Sequence, residues 1–138
     1  MENLVIRIFS EGDRASVKEL WRICGLTVPQ NDPDEDIDQK IRFQPELFFV
    51  GEYEGGVVAS IMAGYDGHRG YMNYVGVHPD FRKKGFGSKM VEFVLSELRK
   101  KGSPKVNISV RTSNAKVMGF YRKLGFSEDP VIGMGHRF

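Results

Sequence analysis

The chain has 138 residues, of which 41% are apolar and 28% charged, and its formal net charge is +2. That length supports one domain, spanning 1–138, with a real hydrophobic core, and the composition excludes disorder as a default. The near-neutral balance excludes a global electrostatic case for nucleic acid or a membrane surface; any such attraction has to be local. The lone Cys24 excludes an intrachain disulfide, which suits a reducing cytoplasm. Beside Trp21 and Ile23 in a helical pattern, it reads as a buried thiol. No apolar run reaches about 18 residues and the N-terminus lacks a signal-peptide core, so a cytoplasmic protein with no membrane segment is expected.

In chain order, "LVIRIF" (4–9) predicts a first strand. Ser10 followed by Asp13 resembles a capping box, and Val17, Leu20, Trp21 and Cys24 then recur at helical spacing until Gly25. In "NDPDEDIDQKIRFQ", Asp32 is a good N-cap, Pro33 suits the first helical position and Glu35 the third, predicting a short helix over about 33–43. "LFFVGEY" (47–53) and "VVASIMAGY" (57–65) are strands joined by an "EGG" hairpin turn. "DGHRG" is a second turn, and "YMNYVGV" (71–77) a further strand that Pro79 ends. Phe86, Met90, Val94 and Leu98 are spaced by four, which predicts a helix over about 86–101 that Gly102 stops. "KVNISVRT" (105–112) follows as a strand, Asn114 is expected to cap a helix "AKVMGFYRKL", and "PVIGMGHRF" is expected to form a last, weaker strand. Strand 71–77, helix 86–101 and strand 105–112 make a βαβ unit, so its two strands should be parallel with a right-handed crossover. The other strands meander, giving a mixed-sheet α/β (α+β) domain.

The segment "RKKGFGSK" (82–89) places two poor helix formers, Gly85 and Gly87, at a helix start. A helix N-terminus leaves its first amides unpaired and carries about half a positive charge. Glycines there let anionic oxygens reach the backbone, and Arg82, Lys83 and Lys84 add positive charge, so the site suits a pyrophosphate. A plain strand-to-helix turn with solvated charges accounts for the same spacing. A P-loop is excluded, because the first glycine is missing and Ser and Lys stand in the wrong order. The dinucleotide fingerprint is excluded because only two of its three glycines are present, and not directly after a strand.

"VGVHPDFRKKGFGSKMV" (75–91) is similar to motif A of the GNAT superfamily of N-acetyltransferases, with Arg82, Gly85 and Gly87 at the positions of its Arg/Gln-x-x-Gly-x-Gly/Ala core. "NAKVMGFYRKLGF" (114–126) looks like the family's motif B. The stretches "NDP" and "GYDGHRG" further resemble the small bacterial YpeA-like branch. The resemblance covers essentially the whole chain. It implies a GNAT fold: a mostly antiparallel sheet, helices on both faces, and parallel strands 71–77 and 105–112 splayed around acetyl-CoA. It further implies that the backbone of Val75, Gly76 and Val77 lines the pantetheine arm. The pyrophosphate would lie on the amides of Lys83, Lys84, Gly85, Phe86, Gly87 and Ser88, and Asn114 would bond the pantetheine region. Lys116 and Arg122 would attract the CoA phosphates, a weaker assignment. No metal is expected.

The implied reaction is direct attack of a neutral amine on the thioester in a ternary complex. It requires removal of an ammonium proton, stabilisation of the carbonyl oxygen and reprotonation of the thiolate. Tyr121 occupies the family's proton-donor position, though Val117, Tyr121 and Leu124 also form a stripe that suits core packing. Many family members carry a carboxylate on the strand before motif A, and "YMNYVGV" has none. Asn73 or Tyr74 ordering a water, or His68 by its intrinsic pKa range, are weak candidates for the base, which stays unassigned. An exposed histidine in the hairpin turn is the more ordinary reading of His68.

"NDPDEDID" clusters five carboxylates, mostly explained by helix capping and the helix dipole. Asp32 and Asp34 are weak candidates to face a cationic acceptor, a small amine or a protein amine. A calcium loop is a poor match, since Ile37 stands where a glycine is required. A non-catalytic acyl-CoA-binding module is the alternative. A nucleic-acid binder using Arg82, Lys83, Lys84, Arg99, Lys100, Lys101 and Lys105 is disfavoured by the charge balance. A monomer or a homodimer both fit the sequence.

Overall fold

The structure is a computed structural model that describes residues 3–138. Five strands form one sheet in the order β1-β2-β3-β4-β5: β1 Val5–Ile8, β2 Phe48–Tyr53, β3 Gly56–Tyr65, β4 Gly70–Val77 and β5 Val106–Asn107. The first four are antiparallel neighbours, and β5 runs parallel to β4. The β2–β3 turn closes through Glu54 and Gly55, both at positive φ (52° and 82°), as a two-residue hairpin requires.

Alternation along β2 builds two apolar layers. Phe48 and Val50 face α1 (Arg14–Ile23) and α2 (Pro33–Arg42), packing with Val17, Trp21 and Ile37. Leu47 and Phe49 lie on the other face, against Phe86, Met90, Val94 and Leu98 of α3 (Phe86–Lys100). The every-fourth spacing that predicts this helix is therefore its buried stripe. Asp32 caps α2 as expected, accepting from the amides of Asp34 and Glu35.

The sheet departs from expectation at its far edge. The strand expected over 105–112 forms a ladder only at Val106 and Asn107, where Gly70 pairs with Val106 and Tyr71 with Asn107. Beyond that point β4 and the chain from Ile108 onward separate. Asn114 does not cap a helix: it has non-helical φ and ψ inside a 3-10 segment, and α4 spans Met118–Lys123. Residues 130–138 form no strand. A ladder of two residues gives a further strand little edge to pair with, and Val131, Ile132 and Met134 are exposed.

Near the start of α1, Arg7 clamps the buried Asp13 with two hydrogen bonds of 2.7 and 2.9 Å, and Asp13 also accepts from the Ser10 amide. Arg7 holds the Asp13 carboxyl below the usual carboxylate range, against the opposing cost of burial. A depressed folded-state pKa stabilises the fold above the unfolded value and loses that stability as pH falls through the folded value. Asp13→Asn is expected to cost about 1.5–3 kcal/mol at pH 7. It is also expected to flatten the acid limb of a urea-stability profile below about pH 4, and an unchanged profile would refute the assignment.

Candidate active site

The site begins where β4 stops following β3. Ser60 pairs with Gly76 and Met62 with Asn73, so Tyr74 and Val75 together stand opposite Ile61. This is a β-bulge, and Tyr74 sits at φ +51°, a left-handed conformation that is costly outside glycine. Three contacts hold it there. Trp21 stacks on the Tyr74 ring at 3.7 Å with 9° between planes. The Trp21 indole N–H donates to Ser60 Oγ at 2.9 Å. Ser60 Oγ in turn donates to the Tyr74 carbonyl at 2.8 Å.

The ladder of β4 with β5 ends at Tyr71 and Asn107, ahead of this bulge. The His78 amide donates to the Val58 carbonyl, so His78 faces β3 and, by strand alternation, Val77 and Val75 face the opening. The two strands thus pair at one end and separate at the other, leaving backbone groups of β4 along a wedge-shaped gap.

Beside the end of β4 in the chain, α3 starts without a side-chain cap. Its N-cap Gly85 has φ +80°, and a Cβ there would meet nothing within 4 Å. The two glycines have different tasks. Gly85 supplies a left-handed turn in open space. A Cβ on Gly87 would come within 3.3 Å of the Phe120 ring, so this glycine also lets α4 pack onto α3. Lys83 is likewise left-handed at φ +69°. Arg82 folds back onto the strand end, with Nε donating to the Val77 carbonyl at 3.0 Å. The Cys24 thiol donates to the same carbonyl at 3.4 Å, and burial pushes its pKa up.

On the α1–α2 side of β4 lies a cavity of about 420 Å³ lined by Asn31, Asp36, Gln39, Lys40, Phe43, Met62, Asn73 and Tyr74. The Tyr74 hydroxyl donates to Asp36 Oδ2 at 2.5 Å. Burial, and secondly Asp36, push the Tyr74 pKa far up, so the phenol stays protonated and acts as a donor.

The family model for the acetyltransferase (GNAT) family matches residues 14–126. The chain belongs to the GNAT family of acetyltransferases. It is 46% identical over 132 residues to an acetyltransferase of Yersinia enterocolitica, covering 96% of this chain and 94% of that one. The crystal structure of Ard1 from Thermoplasma volcanium superposes with a TM-score of 0.75 at 29% identity, covering 90% of this chain and 82% of that chain. The PaiA N-acetyltransferase of Thermoplasma acidophilum, solved in complex with coenzyme A, shares the fold with a TM-score of 0.81 at 17% identity, covering 95% and 94%. The GNAT fold and acyltransferase class expected from the two motifs are thereby established.

The motif B tyrosine of this GNAT chain, Tyr121, is 8% exposed, with its ring edge-on to Phe120 and Phe126. Its hydroxyl has no hydrogen-bond partner among the described residues, and burial pushes its pKa up. Asn114 and Lys116 are exposed on the 3-10 segment, while Arg122 is bonded to Glu128 at 2.8 Å. His68 is exposed in the β3–β4 turn, at the paired end of β4 rather than at the gap.

The acidic cluster divides by partner. Asp32 is spent on capping α2. Asp34 bonds Arg14 and Lys18 at 3.1 and 2.7 Å, and Asp38 bonds Arg14 at 2.6 Å, which ties α2 to α1. Asp36 is the carboxylate that lines the cavity. Sequence reading passed over it, because its partner Tyr74 lies 38 residues away. Three of the basic residues named for a nucleic-acid face are paired: Lys100 with Glu97, Lys101 with Glu46 and Lys105 with Asp129.

Proposed function

We propose that the chain is an acetyl-CoA-dependent N-acetyltransferase that moves the acetyl group to a primary amine by direct attack in a ternary complex. The observation that carries this reading is the gap between β4 and β5, with an uncapped helix N-terminus beside it. The residues fit the cofactor. On the side of β4 away from β3, Val75 offers backbone groups to the amides of an extended pantetheine arm, while the Val77 carbonyl is already taken by Arg82 Nε and the Cys24 thiol. The turn from Lys83 to Ser88 offers anion-binding amides, with no side chain filling the space at Gly85. The coenzyme A complex of the similarly folded PaiA enzyme supports the same use.

Acetyl-CoA, when bound, supplies an acetyl thioester. Tyr121 is the proton donor to the leaving sulfur, since its pKa is raised and its hydroxyl makes no competing bond. Asn73, Tyr74 and Asp36 form the polar wall of the acceptor cavity. Asp36, oriented by the Tyr74 hydroxyl, holds the incoming ammonium and receives its proton directly or through water ordered at Asn73. Tyr74 is a positioning residue here, because its raised pKa keeps its own proton in place.

Saturating acetyl-CoA is expected to raise the melting temperature by several degrees, since about 100 times Kd contributes about 2.7 kcal/mol. An amine panel should then release free CoA. Absence of any thermal shift would sink the cofactor assignment. A shift without release from any amine would reduce the chain to an acyl-CoA-binding module.

A further inference from the structure

Resting on the acetyltransferase reading, the acceptor cavity carries a second charge that an amine alone does not need. Lys40 lines it with Asp36, one helical turn away on α2. Residues four apart on a helix ordinarily pair when one is Asp and the other Lys. Here they do not: Asp36 turns to the Tyr74 hydroxyl. Lys40 is 9% exposed, and its ammonium makes no hydrogen bond or ion pair among the described residues. Its nearest recorded company is poor. The Phe43 ring centroid is 5.9 Å away, at the limit of a cation–π contact. Glu46 acts on it only through space, and that carboxylate is bonded to Lys101 at 2.9 Å.

The ammonium lies close to β3: a Cβ built on Gly64 would stand 3.7 Å from Lys40 Nζ, an ordinary contact distance. The adjacent Gln44 is turned to Tyr65, its Nε2 donating to the Tyr65 carbonyl at 2.7 Å and its Oε1 accepting from the Tyr65 amide at 3.0 Å, and it forms no bond to Lys40. Burial accordingly pushes the Lys40 pKa down. A half-buried ammonium with no protein partner among the described residues gains from an anion that enters the cavity.

We infer that the acceptor is an amine that also carries an anionic group: its ammonium meets Asp36 at the Tyr74 end of the cavity, and its anion pairs with Lys40. This excludes simple monoamines and polyamines as the preferred class. Amino acids and amine phosphates share the required chemistry and differ only in the anion.

The test uses matched pairs titrated into the full-length protein in the presence of CoA, with binding followed by calorimetry. The probes are α- and ω-amino acids of two to six carbons against their carboxamides, and ethanolamine phosphate against ethanolamine. At least one anionic member is expected to bind about tenfold or more tightly than its neutral partner. A carboxylate or phosphate preference then tells the two sources apart. Lys40→Met, which keeps the apolar stem and removes the charge, should abolish the preference of each anionic member over its neutral partner, and Lys40→Arg should restore part of it. The inference is overturned if no pair prefers its anionic member, or if the preference survives in Lys40→Met. Continued acetyl-CoA binding and CoA release from the neutral amines would then leave the acetyltransferase reading standing, whereas their loss would remove that reading instead.

Discussion

Tyr121→Phe is expected to slow turnover about 100-fold at saturating substrates, while the Kd for acetyl-CoA and the melting temperature stay near wild type. The reasoning starts from what the substitution removes. The ring keeps its edge contacts with Phe120 and Phe126, so the packing of α4 is retained. The hydroxyl has no partner among the described residues, so no protein hydrogen bond is broken. What disappears is the proton available to a thiolate leaving group. Burial raises the Tyr121 pKa, which keeps the phenol protonated across the neutral range. Rapid-mixing measurement of CoA release separates this from a packing role. Unchanged turnover would reject the proton-donor assignment, and a fall in melting temperature would show that the hydroxyl is structural.

The largest effect on stability is expected at Trp21. Trp21→Ala should cost about 3–5 kcal/mol in urea unfolding. Trp21 is fully buried, stacks on Tyr74, and lies 6.2 Å from the Phe48 ring. Its loss also removes the indole donor to the Ser60 hydroxyl and leaves the left-handed Tyr74 without its stacking partner. The bulge should relax, and acetyl-CoA affinity should fall along with stability. Ser60→Ala isolates the second effect. It empties little volume but leaves the Trp21 indole N–H and the Tyr74 carbonyl without that partner, at about 1–3 kcal/mol for each group left unsatisfied. If Ser60→Ala binds acetyl-CoA like the wild type, the relay does not set the geometry of the gap.

Much of the fold was legible because its determinants are close in sequence. The α3 stripe, the Asp32 cap with Pro33 at the first turn, and the two-residue hairpin after Tyr53 each depend on neighbours within a few positions. The failures share the opposite property. The strand expected over 105–112 has suitable residues, yet β4 diverges from it after Asn107 and no backbone partner is left beyond. Alternation cannot reveal that, because pairing belongs to the neighbour and not to the segment. Residues 130–138 fail as a strand for the same reason. The placement of Asn114 as a cap assumed a helix beginning beside it, whereas α4 starts at Met118.

The acidic cluster shows most sharply where local reading ends. Five carboxylates between Asp32 and Asp38 are equivalent by residue type, and their roles are assigned by cations and donors far along the chain. Arg14 and Lys18 take Asp34, Arg14 takes Asp38, and the Tyr74 hydroxyl takes Asp36. The sequence by itself determined the family, through two motifs that are each continuous strand–turn–helix or helical segments. It also located α1, α2, α3 and the antiparallel strands through hydrophobic period and capping, while the structure shows α1 and α2 on one face of the sheet and α3 on the other. Only the tertiary structure decided which carboxylate and which lysine share the acceptor cavity, and how far the parallel strands stay paired. Periodicity and caps are energies of near neighbours along the chain. A buried charge or an open strand edge is defined by what other segments bring to it, or withhold.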